Sequence, residues 1–238
     1  MTLHQLPLAS KDKVIIVGAG IGGLASSVRL SHLGYQVSVF EKAKNAGGKL
    51  RTIMGSTGDI DVGPTVLTLL PIFKKLFKSV GEDIFEHIEL VRQKIIARHW
   101  WPDGTSLDLH DNFEASRDAI LSFSGSNSAH EFEKYFFDTK DLFSCFETPV
   151  MQNPKPSLLD MNRAVFSNPR ILTKIHPYRS LSGSLKLKFS DYRLQQLFAR
   201  YATYVGGSPL ESPALLSLIW QAEARGVWSI KGGMKKLA

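Results

Sequence analysis

Three glycines spaced Gly18-x-Gly20-x-x-Gly23 are the residues whose type and spacing most directly suggest chemistry. They follow an apolar, β-branched run, Val14-Ile-Ile-Val17, and precede Leu24, Ala25, Val28, Leu30 and Leu33 at helical spacing. In that setting Gly18 permits a tight strand-to-helix turn. Gly20 lets backbone approach a pyrophosphate, and Gly23, in the Gly22-Gly23 pair, lets the helix pack closely on the strand. The unpaired N–H groups and the dipole of the helix start would then meet the anion. Glu41 stands 21 residues after Gly20, at the end of a second strand pattern, Gln36–Phe40, where an acidic side chain accepts hydrogen bonds from a ribose. A glycine-rich turn in an ordinary β-α-β unit is the alternative. The order of strand, glycines, helix, second strand and acid argues against it.

A second polar group follows at once. Lys42-Ala-Lys-Asn-Ala-Gly47-Gly48-Lys49-Leu-Arg51 is a glycine pair among cations. Such a loop can surround a diphosphate from its other side, or be a flexible basic loop. Paired with the upstream fingerprint, it favours FAD over NAD. Asp59-Ile-Asp61-Val-Gly63-Pro64-Thr65-Val66 then reads as a turn that exposes backbone N–H groups. The single cysteine, Cys145, excludes an internal disulfide, a cysteine-based zinc site and a dithiol redox pair.

Elements that position these groups are legible as patterns. Val14–Val17 reads as a buried parallel strand, and Gly34 as the C′ glycine of the first helix. Leu67–Val80 predicts a helix with Leu69, Ile72, Phe73, Leu76, Phe77 and Val80 on one stripe, ended by Gly81. Residues 84–96 read as a strand entering a second domain. Residues 95–109 read as a β-hairpin turning at Asp103-Gly104, where His99, Trp100 and Trp101 border a ligand or simply pack. Asn112–Phe123 predicts a helix broken at Gly125–Ser128. A second follows, with Ser128 and Glu131 at capping-box spacing, whose many phenylalanines suit a core or an apolar tunnel wall. Beyond a loop marked by Pro149, Pro154 and Pro156, Leu158–Leu187 suggests short helices. Further helices are expected over Ser190–Val205 and Ala214–Ala224, with a strand at Val227–Ile230. Gly232-Gly233 should open a last helix.

Charge is uneven. The net +7 resides wholly in residues 163–200, where Arg163, Arg170, Lys174, Arg179, Lys186, Lys188, Arg193 and Arg200 face one acid, Asp191. A patch on anionic lipid and a solvated surface are both compatible with this, while no nucleic-acid motif accompanies the cations. The start of the chain lacks a long apolar stretch, and no 18-residue apolar run occurs, so the cytoplasmic side is the expected compartment. Residues 1–12 read as a mobile tail.

Taken together, these motifs resemble the phytoene-desaturase-type carotenoid desaturases, within the FAD-linked amine-oxidase-like superfamily. The fingerprint, Glu41 with Gly47-Gly48-Lys49, and Asp61-Val-Gly63-Pro64-Thr65 carry the superfamily likeness. Arg200-Tyr-Ala-Thr-Tyr-Val-Gly206-Gly-Ser-Pro209 and Gly226-Val-Trp228-Ser-Ile-Lys-Gly232-Gly233-Met234 carry the carotenoid branch, with the hydroxy- or methoxyneurosporene desaturases nearest. The resemblance implies an α/β, Rossmann-like FAD-binding domain with an inserted mixed α+β substrate domain. Residues 13–82 would form the first part of the FAD domain. Residues 83–238 would form the substrate and membrane-associated domain and the start of the return. It further implies FAD held by Gly18, Gly20, Gly22, Gly23, Glu41, Lys42, Gly48, Lys49, Arg51, Thr65 and Val66. The implied substrate is a C40 carotenoid polyene drawn from a membrane. No catalytic side chain and no metal ligand are implied. Family members run to about twice this length, so an N-terminal portion is expected. An amine-oxidase-like flavoenzyme and a non-catalytic escort or dissociation-inhibitor-like protein are the competing readings.

Overall fold

A computed structural model describes residues 12–238, Leu158 without its side chain; all but the last residue of the expected tail, 1–12, lies outside that range. Two compact units are present: residues 12–92 with Val227–Ala238, and Gln93–Gly226.

In the first unit β1 (Lys13–Val17) pairs in parallel with β2 (Gln36–Phe40), Ile16 opposite Val39, and α1 (Ile21–His32) is the crossover between them. Gly34 sits at C′ with φ +90°. Within the described residues β1 is covered on one face only. Ile16 points at Gly23 of α1, whereas Ile15 and Val17 face the other way and are 66% and 86% exposed. A parallel pair is normally covered on both faces; here α1 covers one. β3 (Thr52–Gly55) and β4 (Gly58–Asp61) form an antiparallel hairpin not foreseen in the sequence.

α2 (Leu70–Lys78) starts three residues later than the apolar stripe suggests. Leu67 exchanges both backbone hydrogen bonds with Trp228, at 2.8 and 2.9 Å, which holds it extended. Leu69 then turns through φ +52° into a helix with Pro71 in its first turn. Residues 84–96 are not one strand. Asp83 caps the single turn α3 (Ile84–His87), and β5 (Leu90–Arg92) pairs antiparallel with the Trp228–Ile230 strand inside this same unit. Leu50, Leu67, Leu70, Ile84, Ile230 and Met234 form the core.

The second unit opens with the expected hairpin, β6 (Ile95–Trp100) and β7 (Ser106–His110). Gly104 takes φ +81°, and the Asp103 carboxylate accepts from the Thr105 N–H at 2.9 Å and hydroxyl at 2.7 Å. α4 (Phe113–Phe146) is two helices meeting at Gly125, whose φ of +84° is non-helical, so the expected break is present. The capping box at Ser128 is not. The Ser128 hydroxyl pairs with Ser124, and the Glu131 carboxylate reaches instead to the Ser190 N–H at 3.0 Å. A wide π turn, Glu147–Met151, runs on before the proline loop.

α5 (Leu158–Ser167) carries a genuine capping box, Ser157 with Asp160. α6 (Leu172–Ile175) and α7 (Leu181–Lys188) follow. The helix expected over residues 190–205 is α8 (Tyr192–Ala199), capped by Asp191, and then a 3-10 stretch to Val205. Residues 214–224 begin as a 3-10 helix and become α9 at Trp220–Ala224. The last predicted helix is a 3-10 turn, Met234–Leu237.

The phenylalanine-rich half of α4 is core. Phe132, Tyr135, Phe189, Phe198 and Trp220 are buried, with Tyr135 and Phe198 centroids 4.6 Å apart and Phe189 stacked on Phe198 at 5.1 Å. Against this apolar block stands one polar knot. Glu223 accepts from Arg200, from the Tyr201 hydroxyl at 2.8 Å and from the Tyr204 hydroxyl. Burial raises the pKa of Tyr201 and Tyr204, so both remain donors.

Among the eight basic residues of the 163–200 segment, four are engaged in ion pairs. Lys174 meets Asp138 at 3.2 Å and Asp141 at 2.6 Å, Lys188 meets Asp138 at 2.6 Å, Arg193 meets Asp191 at 2.8 Å, and Arg200 meets Glu223. No helix of the described residues is long and apolar enough to cross a membrane.

Candidate functional site

The candidate site is the β1–α1 turn of the first unit with the loops against it. Gly18 leaves β1 at φ +97°, its N–H donating to the Phe40 carbonyl at 2.7 Å. A side chain on Gly23 would place its Cβ 2.0 Å from the Gly18 carbonyl oxygen, so glycine there is a condition of the turn. A Cβ on Gly18 or Gly22, by contrast, would meet nothing within 4 Å. The turn is therefore tight on its inner side and open on its outer side. α1 begins at Gly20 with no side-chain cap and no acid in its first turn. Its free N–H groups are open to an anion, as a diphosphate requires.

Glu41 closes the turn from β2. It accepts from the Ala19 N–H at 2.8 Å through one oxygen and from the Ala43 N–H at 2.8 Å through the other. Those bonds, Ala43 first, hold its carboxyl below the usual carboxylate range, so it is an anion with lone pairs left for hydroxyl donors. The glycine pair packs against the turn. The Gly47 N–H donates to the Ala19 carbonyl at 2.8 Å, and a Cβ on Gly48 would lie 3.0 Å from the Gly20 Cα. Lys42, Gly48, Lys49 and Arg51 are exposed around this contact. Thr65 and Val66 are exposed on the segment leading to Leu67.

Two partners were not foreseen. The Ala19 N–H shares Glu41 with any ribose, a role that backbone atoms do not announce in sequence. Asp61 accepts from the Met234 N–H at 3.0 Å, tying the Asp-x-Gly-Pro turn to the Gly232-Gly233 turn. Its other oxygen, Oδ1, is buried and unpartnered. Both glycine turns and Asp61 were visible as motifs; their meeting across the chain was not. Likewise Gly63 closes on the Lys49 carbonyl, which a Cβ there would meet at 1.9 Å. No group of three or more potential metal ligands occurs among the described residues.

Open glycines, uncapped amides and an ionised ribose-side carboxylate fit a dinucleotide. Comparison with known proteins agrees. The NAD(P)-binding Rossmann-like domain family matches residues 16–81. The hydroxyneurosporene desaturase of Cereibacter sphaeroides is 43% identical over 226 residues, 95% of this chain and 46% of that protein. Its namesake from Rhodobacter capsulatus is 41% identical over 97% of this chain and 47% of its own length. The chain thus spans about half the length of the curated relatives it matches. In fold, a putrescine oxidase crystallised with putrescine superposes with a TM-score of 0.61 at 16% identity, covering 95% of this chain and 47% of the oxidase.

Proposed function

We infer that this chain, which matches the carotenoid desaturase family over that family's N-terminal half, is the FAD-holding and substrate-facing half of a FAD-dependent carotenoid desaturase. The observation that carries the reading is the length of the match. It runs over 226 residues, far beyond the glycine fingerprint that any dinucleotide-binding protein would share.

In this reading the unit of residues 12–92 and 227–238 holds FAD. The α1 N-terminus at Gly20, with Gly18, Gly22 and Gly23, faces the diphosphate. Glu41 accepts from the adenosine ribose, and Lys42, Gly48, Lys49 and Arg51 supply backbone and positive charge on the other side. Thr65 and Val66 lie toward the flavin. Bound flavin would supply the two-electron oxidant for turning a saturated C–C unit of the polyene into C=C, accepting a hydride while water or a base takes the proton of the adjacent carbon. This chain's residues bind, orient and exclude water. The carotenoid is a C40 polyene, drawn from the cytoplasmic face of a membrane on which the protein sits peripherally through its basic segment.

The test is expression of the complete protein carrying this sequence in a bacterium that makes an acyclic carotenoid precursor. The expected results are a purified yellow protein with a flavin spectrum and a host pigment gaining conjugated double bonds by chromatography. A colourless protein after FAD reconstitution, together with an unchanged pigment profile, overturns the reading.

A further inference from the structure

Two buried polar atoms of the second unit, Nδ1 of His99 and Nε of Arg200, have no hydrogen-bond partner among the described residues. Both belong to the knot around Glu223. Arg200, Tyr201 and Tyr204 reach this acid of α9 from the 3-10 stretch that follows α8. His99 enters from β6, opposite Leu107, within electrostatic reach of both Arg200 and Glu223. An unpaired buried polar atom costs free energy, and native proteins rarely keep one. Two in one cluster ask for a group that the described residues do not supply. Their chemistry says which group. The Arg200 Nε carries a hydrogen and only donates. Burial first, and after it the Arg200 charge, push the His99 imidazole below its ordinary pKa, so the ring is neutral. With its proton on Nε2, a neutral ring offers Nδ1 as an acceptor. One hydroxyl serves both: its oxygen accepts from the Nε–H and its hydrogen donates to Nδ1. A carboxylate or phosphate has no hydrogen for Nδ1, and Glu223 already neutralises the Arg200 charge. An ammonium would face the guanidinium and has no lone pair for its Nε–H.

The surroundings are aromatic and reach the surface. Trp101 stacks on His99 with ring centroids 6.2 Å apart, and Tyr201 on Tyr204 at 5.9 Å. Tyr204 is 50% and its neighbour Val205 60% exposed. Rings around a single polar point suit an apolar molecule that carries one hydroxyl. We propose that His99 and Arg200 form a subsite for such a hydroxyl, and that they set a preference for a polyene hydroxylated at one end. Glu223 is a positioning residue there. It and the Tyr201 hydroxyl take the Arg200 Nη2, which leaves Nε to the ligand. The proposal rests on the carotenoid reading for the polyene, whereas the hydroxyl follows from the two atoms themselves. No bond is made or broken at the subsite, so it acts on affinity and leaves the rate of the bound complex alone.

The test offers the complete, FAD-loaded protein two detergent-dispersed acyclic C40 carotenoids that differ only by a hydroxyl at one end. Affinity is read by the quenching of tryptophan fluorescence by the polyene, and turnover by chromatography. The hydroxylated compound should bind roughly tenfold tighter or more. H99L removes the acceptor. R200K keeps a cation for Glu223 but has no Nε–H. Each should raise Kd and KM for the hydroxylated compound roughly tenfold, with kcat and the affinity for the other compound unchanged. Equal affinity of the parent for both compounds overturns the proposal, and is the result expected if a trapped water serves the two atoms. Variants that lose both compounds alike overturn it too, because the knot is then structural only. H99L leaves the Arg200–Glu223 pair in place and decides the matter if R200K fails to fold. If the hydroxyl preference is present in binding and lost in H99L while neither carotenoid is converted, the subsite stands and only the desaturase reading falls.

Discussion

Glu41 serves two masters at one carboxylate. It fixes the Gly18–Gly20 turn through the Ala19 N–H and remains the acceptor offered to a ribose. E41Q keeps the shape but puts an amide donor against one of two N–H groups. FAD affinity is expected to drop tenfold or more, read by flavin fluorescence during titration. The sign with pH follows from the lowered pKa. The charged form is favoured by the folded turn, so its contribution is complete above the ordinary value of 4.5 and fades as pH falls through the lower folded value. Flavin release on acidification should therefore begin below about pH 4.5 in the parent and lose that step in E41Q. The glycines separate fold from binding. G23A drives a methyl into the Gly18 carbonyl, and chemical denaturation should show a loss of about 3 kcal/mol or no folded protein. G22A meets nothing in the protein and lies within α1, where alanine is favoured by up to ~1 kcal/mol. Its melting temperature without FAD should hold or rise while FAD binding weakens, because its methyl occupies the open side of the turn.

At the scale of elements, caps and buried pairs set the hold. Asp191 starts α8, accepts from the Arg193 N–H at 2.8 Å and guanidinium, and receives the Ser124 hydroxyl at the kink of α4. Arg193 first, then Ser124, draw its pKa down to about 2 against the burial that opposes them. A depressed carboxylate stabilises the fold above its unfolded value and loses that effect as pH drops toward 2. D191A should cost the second unit about 2 kcal/mol at neutral pH, with urea curves drawing together as pH falls from 3.8 and meeting those of the parent only near about 2. E223A removes the acceptor of Arg200, Tyr201 and Tyr204 at once and should cost about 3 kcal/mol by the same measurement. Sequence reading succeeded where a rule is local: the Gly34 stop, the Asp103-Gly104 turn, the Gly125 break. It failed where a distant strand or side chain competes. Trp228 takes the backbone of Leu67 out of α2, and Ser190 takes Glu131 away from its own helix start. No local window contains those partners.

The whole molecule was legible in outline, since the order of glycines, acid and glycine pair already implied the dinucleotide turn. The return of the chain to the first domain was expected, but not that Trp228–Ile230 would pair with β5 there. Equally hidden was the sharing of charge, because a run of eight cations looks uniform until Asp138, Asp141 and Glu223 arrive from other helices. One consequence concerns handling the polypeptide at the bench. Ile15, Val17 and Phe40 make a bare β-branched and aromatic surface on the two-stranded parallel sheet. Flat apolar strands of that kind invite stacking between copies. This 238-residue stretch, when produced by itself, should gather into soluble multimers or inclusion bodies as its concentration rises, and less so in the cold, where apolar association weakens. Light scattering of a V17T/F40T variant, which keeps strand propensity while adding hydroxyls, should reveal smaller particles than the parent at equal concentration. Choosing a solubilising fusion, a mild detergent or a low induction temperature is thus a decision written into three side chains.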